Sequence, residues 1–598
     1  MQINPLWLMA GLVVVTLIAY AGSFTNGFVE WDDQHYVTDN LMVLNPTGEN
    51  IKLLLTRIVA LNYHPVTMLS LALNVLFFGK GAASFIITNV VIHIANSLLV
   101  FILIQKLTNK TTVVSFFTAL IFAIHPMHVE SVAWIAERKD VLYAFFFLAS
   151  CIIYIKYREN NQTKWLLVCL LMFVLSCLSK AMGVVLPVVL ILIDYWQGRK
   201  WFSVKSLAEK IPFFLIALLF GLISVNVQAG GDFYGLLSRN LNHAALTTTV
   251  FSGLERISYP LFGYLKYHIM AVLPFGLSNI HPYPASSEAT EAKYIFGIAF
   301  FVISLGIMLW SYRKHKFIFF GWGFFFVTIL LVLQFLSVGK AFMAERYSYL
   351  PYIGLFFMIF YGLNKWLKPW ITWLIGAFLG VFFLVLTMQQ VKVWKDNFSL
   401  WSNAYKQYPN DGSILDSMAD EYGRRGEFDK VEMFAQKSIA SGMTSYHTYE
   451  IMANIYALKG DLNKSLEMYN KAMAIDSTVG NIYFNRGITY LNSKRYEEAV
   501  RDFTRSMTLE SNEKPFKVRG ARGMAYIQLK KYDEALEDFN FVIQTSDIPN
   551  AGHFLDRAVV RFNLKDTTGA IEDLQKTLQL DPTNQQAAEN LKLLENLK

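Results

Sequence analysis

Phe28-Val29-Glu30-Trp31-Asp32-Asp33-Gln34-His35-Tyr36 sets two adjacent carboxylates directly behind an apolar run, Pro5 to Ala21. A run of this kind crosses a bilayer, since about 20 residues span a hydrocarbon core of ~30 Å. Aspartate is costly in hydrocarbon, so Asp32 and Asp33 belong just outside it, facing water or a cavity. Two like charges side by side raise the pKa of one of them and leave it basic enough to accept a proton. The same residues also suit a solvated loop that merely ends the helix.

Other polar groups recur at the ends of later apolar runs. His125-Pro126-Met127-His128-Val129-Glu130 closes the third run, and Arg138-Lys139-Asp140 opens the fourth. Two imidazoles and a carboxylate invite a divalent metal. The spacing is not that of His-Glu-x-x-His, however, and Pro126 breaks the helix between the imidazoles. A metal is therefore not favoured, and no residue is assigned to one. A loop holding a phosphate and a sugar suits the set better, with the Arg138 fork on the phosphate. Asn89 and His93 lie one helical turn apart and share a face, either as an interhelical hydrogen bond or as part of a site. Lys180, after Ser179, either snorkels or meets an anion. Glu345 and Arg346, with Tyr349, open a late apolar run and either pair or bind an anion. Arg138, Lys180 and Arg346 are thereby expected on one membrane face, where a lipid phosphate lies. Asp194, at the other end of its run, reads as structural.

These groups need helices to position them. The chain has 598 residues, 54% hydrophobic and 16% charged. Soluble proteins carry about 25% charge, so the composition is that of a membrane protein. The net charge of +8 sits mostly on loop Lys and Arg, so no nucleic-acid partner is implied. Cys151, Cys169 and Cys177 lie in apolar runs without metal or disulfide spacing. The N-terminal run has no basic segment before it and no small-residue cleavage site, so it is expected to stay as a helix.

Apolar runs near 5–23, 84–105, 112–125, 140–156, 164–179, 182–196, 211–226, 293–311, 317–337, 347–363 and 370–388 predict about eleven spans. The stretch 251–275 carries Glu255, Arg256, Lys266 and His268 and reads as interfacial or re-entrant. With a cytoplasmic N-terminus, one set of loops is basic and plain, from Lys106 and Lys110 to Lys365 and Lys368. The other set is polar and mixed and holds the candidate site. An odd number of spans places the C-terminal part on the non-cytoplasmic side.

From about residue 410 the chain repeats. Val431, Ser465, Ala499, Ala535 and Ala570 follow one another by 34, 34, 36 and 35 residues. Small-x-x-aromatic pairs precede them: Ala419/Tyr422, Ala453/Tyr456, Gly487/Tyr490 and Gly523/Tyr526. A helix–turn–helix period of ~34 residues with small residues at the crossings resembles the tetratricopeptide repeat, whose solenoid offers a groove for peptide.

The predicted fold is thus all-α, a polytopic helix bundle followed by a soluble α-solenoid. The expected domains are 1–388 in the membrane, 389–409 as a helical linker and 410–598 as about five repeats. Within the first, 24–83 forms an external loop and 227–292 an external or interfacial segment.

In their order along the chain, Trp31-Asp32-Asp33, Tyr63-His64-Pro65-Val66, Asn89 with His93, His125-Pro126-x-His128-x-Glu130, Arg138-x-Asp140, Ser179-Lys180-x-x-Gly183, Ala344-Glu345-Arg346-x-x-Tyr349-Leu350-Pro351 and Trp394 plus repeats resemble one family. It is that of the transmembrane and tetratricopeptide-repeat-containing (TMTC) protein O-mannosyltransferases, of the GT-C superfamily of glycosyltransferases. His64 stands where that family usually has Arg, and Ile86 where it often has His. The resemblance implies transfer of a hexose, typically mannose, from a polyprenyl-phosphate donor to Ser/Thr hydroxyls on the non-cytoplasmic side. It implies Asp32 and Asp33 as the catalytic carboxylates, Asp32 the base and Asp33 its partner, or the reverse. His125, His128, Glu130, Arg138, Asp140, Lys180, Glu345, Arg346 and Tyr349 are then donor-binding candidates, with His64, Asn89 and His93 behind them. The partners implied are the lipid-linked sugar, membrane lipid and acceptor proteins held by the repeats. A membrane scaffold without activity, whose repeats recruit envelope or lumenal proteins, is the alternative; it leaves the acidic pair and the cations unexplained.

Overall fold

The structure, a computed structural model, describes residues 4–200, 203–228, 253–283, 291–335, 341–442, 445–509, 515–545 and 551–596. Most of the first half of the expected 227–292 segment, and its residues 284–290, lie outside the described residues. The chain divides into two compact units, Met1–Gln407 and Tyr408–Lys598.

The first unit is a helix bundle. Its main helices are α1 (Pro5–Tyr20), α2 (Pro65–Phe78), α3 (Ala82–Leu107), α4 (Thr112–Ile124), α5 (Arg138–Asn160), α6 (Thr163–Ser179) and α7 (Leu186–Trp196). There follow α8 (Ile211–Gln228), α9 (Glu255–Met270), α10 (Ala292–Lys314), α11 (Lys316–Ile329), α12 (Tyr352–Trp366), α13 (Pro369–Val393) and α14 (Asn397–Gln407). Two short strands, β1 (His281–Pro282) and β2 (Ala341–Met343), pair antiparallel and tie two loops together.

Six helical stretches among the described residues are long and apolar enough to cross a membrane: Pro5–Thr25, Ala82–Leu107, Ile135–Asn160, Val204–Gln228, Ala292–Lys314 and Pro369–Val393. A seventh arises if Thr112–Ile124 and Pro126–Ala133, which meet at 54°, form one broken span. The break falls at Pro126, as the missing amide hydrogen requires. The expected runs near 164–179, 182–196 and 317–337 become helices of 10–17 residues, as does Pro65–Phe78, which the sequence reading had left inside an external loop. Helices of that length cross a bilayer only with help from their neighbours or from interfacial ends.

Close packing uses small residues where helices cross. A Cβ on Gly321 of α11 would lie 2.6 Å from the carbonyl oxygen of Gly354 on α12 and 2.7 Å from the Met358 Cβ. Only glycine allows that approach, which replaces hydrophobic driving force with backbone contact. Gly321→Val is expected to separate the two helices at a cost of roughly 1–3 kcal/mol, read as a lower unfolding temperature in detergent.

The second unit is five helix pairs and a last helix. The pairs are α15 (Gly412–Arg424) and α16 (Phe428–Ala440), α17 (Tyr446–Leu458) and α18 (Leu462–Ile475), and α19 (Gly480–Asn492) and α20 (Tyr496–Thr508). Then come α21 (Pro515–Gln528) and α22 (Tyr532–Thr545), α23 (Ala551–Asn563) and α24 (Thr567–Leu580), and finally α25 (Gln585–Glu595). The small residues do what their period implies: Cβ atoms on Gly487 and Gly523 would sit 2.6 Å from Phe503 and 2.9 Å from Phe539. The period also hides a ladder of forked ion pairs. Arg486, Arg522 and Arg557 on first helices each bind, through both Nε and Nη2, an aspartate on the second helix sixteen residues on: Asp502, Asp538 and Asp573.

Candidate functional site

The loop after α1 is not a loose connection. Val29, Tyr36 and Val37 are buried in the bundle core. Asp33 is the pin: one carboxylate oxygen accepts from the Val29 amide and the other from the Ala136 amide, both at 2.9 Å. This joins the loop to the start of α5. Burial is the largest influence on Asp33 and raises its pKa to about 7. Asp32 is half-exposed, and among the described residues no group hydrogen-bonds its carboxylate. It lies near enough to act electrostatically on Tyr36 and Lys139.

The raised Asp33 pKa has a sign. From the ordinary 3.8 up to about 7, the folded state holds a proton that the unfolded chain has released. The stability contributed is therefore full below the lower value and lost as pH rises through the upper one. In Asp33→Asn the group no longer titrates. The change in unfolding temperature across that pH window is expected to shrink relative to the unaltered protein.

Beside this loop, cations and carboxylates interlock. Glu137 accepts from Lys180 at 3.3 Å and pairs with Lys139 at 3.1 Å and with the Arg346 Nε at 3.3 Å. Asp140 accepts from Lys180 and, at 3.0 Å, from Ser131. Glu130 accepts from the Arg346 guanidinium and, at 2.8 Å, from the Arg346 amide. Lys139 also donates to the Tyr36 hydroxyl at 3.1 Å. Burial pulls Lys180 down, but Asp140 and Glu137 outweigh it and hold the ammonium above the usual lysine range. Trp134 lies under both Lys139 and Arg346, 5.9 and 5.6 Å from its ring.

Lys139 and Lys180 line a small, partly open cleft of about 20 Å³. Asn62, His64 and Ser179 add polar groups to its lining, and Phe220, Ile223 and Val227 of α8 add apolar ones. His64 caps α2, stacks on Tyr36 at 5.2 Å, and is kept neutral by burial, its pKa lowered to about 3. Leu215, Leu218, Leu219 and Leu222 leave most of α8 apolar on its outer side.

Several predicted residues stand elsewhere. Arg138 does not reach the cluster. It is fully buried and donates to Asn89, to Ser70 at 3.0 Å, to Asn74 at 3.1 Å and to the Phe85 carbonyl at 2.8 Å. Its fork clasps α2 and α3 to α5, because four of its five N–H donors find neutral acceptors there. Asn89 completes the clasp through the Trp134 carbonyl. His125 and His128 are core groups packed among Tyr352, Phe356, Phe383 and Tyr349. His93 bonds the Tyr349 hydroxyl at 2.6 Å and the Ala123 carbonyl at 2.8 Å, the interhelical alternative. Tyr349 also accepts from Asn96. Glu345 accepts from the Ser278 amide at 2.5 Å, and burial, then Glu130, push its pKa well up. Asp33, with both oxygens on backbone amides, is occupied as a pin rather than free to meet a substrate. Among the described residues no group of three or more His, Cys, Asp or Glu side chains is placed to hold a metal ion.

Glu137 and Lys139 are the members that sequence reasoning missed. The signal was present: Glu137 and Asp140 are three apart and share a helix face, whereas Arg138 projects about 100° away from Glu137.

Comparison with known proteins places this arrangement. Residues 63–228 match the family described as dolichyl-phosphate-mannose-protein mannosyltransferase, and 446–478, 480–513 and 516–544 match the tetratricopeptide repeat. A protein O-mannosyl-transferase of Caenorhabditis elegans is 24% identical over 380 residues, covering 61% of this chain and 51% of that protein. The protein O-mannosyl-transferase TMTC3 of Mus musculus is 22% identical over 508 residues, covering 76% of this chain and 54% of that protein. The chain thus spans about half the length of the curated relatives it matches. The solved structure of YrrB, described as a TPR protein with an unusual peptide-binding site, is 20% identical over 32% of this chain and 97% of that chain, with a TM-score of 0.29. The resemblance read from the motifs is therefore found again, as a mannosyltransferase-like stretch followed by tetratricopeptide repeats in a protein with apolar, membrane-spanning helices.

Proposed function

We propose that this chain is a membrane glycosyltransferase that moves a hexose, mannose by the names of its relatives, from a polyprenyl-phosphate donor to Ser/Thr hydroxyls of proteins. The observation that carries the reading is the cleft lined by both lysines and an apolar helix, with Asp32 close by. An amphiphile with an anionic head and a long apolar tail matches it: the phosphate meets Lys139 and Lys180 while the isoprenoid follows α8. Such pockets combine an apolar lining with a few placed polar groups.

The chemistry is one displacement. The acceptor oxygen attacks the anomeric carbon, the bond from that carbon to the phosphate oxygen breaks, and the hydroxyl proton passes to Asp32. The departing lipid phosphate keeps the electron pair, and Lys139, Lys180 and Arg346 stabilise its charge. Base and leaving group on opposite faces of the sugar make the step inverting. Asp33 acts by fixing the loop. The site lies on the non-cytoplasmic side, the N-terminus is cytoplasmic and the repeats hold the acceptor protein. The basic loops at the other ends of the helices support that orientation.

The test is direct. Membranes containing the chain, given a polyprenyl-phosphate mannose and a Ser/Thr peptide, are expected to yield glycopeptide. No product from any lipid-linked hexose overturns the reading in favour of a scaffold.

A further inference from the structure

We infer that Glu137, which touches neither donor nor acceptor in the reading above, is the positioning residue that sets Lys139 and Lys180 side by side as a two-ammonium clamp for a lipid phosphate. The inference rests on that reading. Its warrant is a donor count. An ammonium group has three N–H donors. Lys180 directs two at Glu137 and Asp140. Lys139 donates one to the Tyr36 hydroxyl and pairs electrostatically with Glu137 at 3.1 Å. Each thus keeps at least one N–H, and both lysines line the cleft.

Glu137 is 1% exposed and uses one oxygen for each lysine. That holds two like charges on one carboxylate, where they would otherwise repel. The third contact, Arg346 on the oxygen shared with Lys139, binds the loop before α12 to the same point. Lys139, Lys180 and Arg346 are each paired with a member of the set Glu130, Glu137 and Asp140. No cation of the cluster stands alone, so the orientation of the two ammonium groups is what a phosphate finds. Asp140 and Glu130 each serve a single cation, and neither bridges the lysines.

A glutamine at 137 keeps the shape and loses the bridge, because its amide nitrogen turns donors toward one of the two ammonium groups. In Glu137→Gln the donor KM is expected to rise roughly tenfold or more. The acceptor KM stays within twofold, and kcat at saturating donor falls far less than kcat/KM. Glu137→Asp, which keeps the charge but is one methylene shorter, restores part of the donor KM. Binding of farnesyl phosphate, against farnesol as control, is measured on purified full-length protein and reads the clamp without turnover. The phosphate-dependent part of the affinity is expected to drop about tenfold in Glu137→Gln and less in Glu137→Asp. Unchanged phosphate-dependent binding in both variants overturns the inference and leaves the transferase reading standing. So does a loss confined to kcat. If the unaltered protein binds farnesyl phosphate no better than farnesol, the donor reading and the clamp fall together. If Glu137→Gln does not fold, Glu137→Asp alone decides: affinity equal to that of the unaltered protein overturns the clamp.

Discussion

Asp32→Asn is expected to lower sugar transfer by about 10²–10⁴-fold, the usual worth of a positioned general base, while the protein folds and inserts normally. Asparagine has the same shape and cannot take the hydroxyl proton. Two observations isolate the effect. The Asp32 carboxylate has no hydrogen-bond partner among the described residues, so its loss strands no buried group. Its neighbour Asp33 carries the structural bonds to Val29 and Ala136, so the loop keeps its form. The assay is glycopeptide formation with purified variant, with the unfolding temperature measured alongside. Transfer within threefold of the unaltered protein removes Asp32 from the chemistry. Asp33→Ala gives the opposite profile, in which activity falls only as far as the loop loosens and the unfolding temperature falls with it.

Arg138→Met is expected to destabilise the bundle by about 3–5 kcal/mol, the range for removing one partner from a buried polar network around a charge. Methionine fills much of the volume. It leaves Asn89, Ser70, Asn74 and the Phe85 carbonyl without their shared donor in a dry interior. The outcome is read as poor yield and a much lower unfolding temperature in detergent, with donor KM unchanged in whatever protein folds. A stable variant with a raised donor KM would return Arg138 to the phosphate. Arg138→Lys recovers little, because one ammonium cannot reproduce a planar fork across three helices.

These two residues also mark what the sequence makes legible. The place of Asp32 outside the first span is readable because an acidic pair behind a spanning run has few places to go. The repeats are readable because a period of ~34 residues survives in any one sequence. Arg138 is misread because the run Glu137-Arg138-Lys139-Asp140 looks like one basic and acidic patch. Helical rotation sends alternate members to different neighbours: Arg138 goes inward to α2 and α3, and Glu137 to the cations. Nothing local announces which acceptors wait on either side, since Ser70, Asn74 and Phe85 are more than fifty residues away. His125 and His128 are misread for a related reason. Imidazoles beside a proline resemble a ligand loop, yet the chain break turns them into an aromatic packing layer. The apolar runs are legible, but the expected eleven spans and the lengths of the helices are not, because 3₁₀ turns and short breaks at Pro126 and Lys180 shorten several of them.

The loop that carries Asp32 is fastened at its far side to the junction of α13 and α14. The Gly27 amide donates to the Lys395 carbonyl at 2.9 Å, the Glu30 amide donates to Asn397 at 2.7 Å, and Trp31 stacks on Trp401 at 5.1 Å. Trp134 stacks in turn on Trp394. The earliest-made reactive segment thus leans on partners translated some 365 residues later. A growing chain can pin the loop through Asp33 once Ala136 is made, but its far side stays unfastened until the last helix of the bundle emerges. Chains cut short ahead of Trp401 lack the contacts that fasten this side of the loop, whatever else of them has folded.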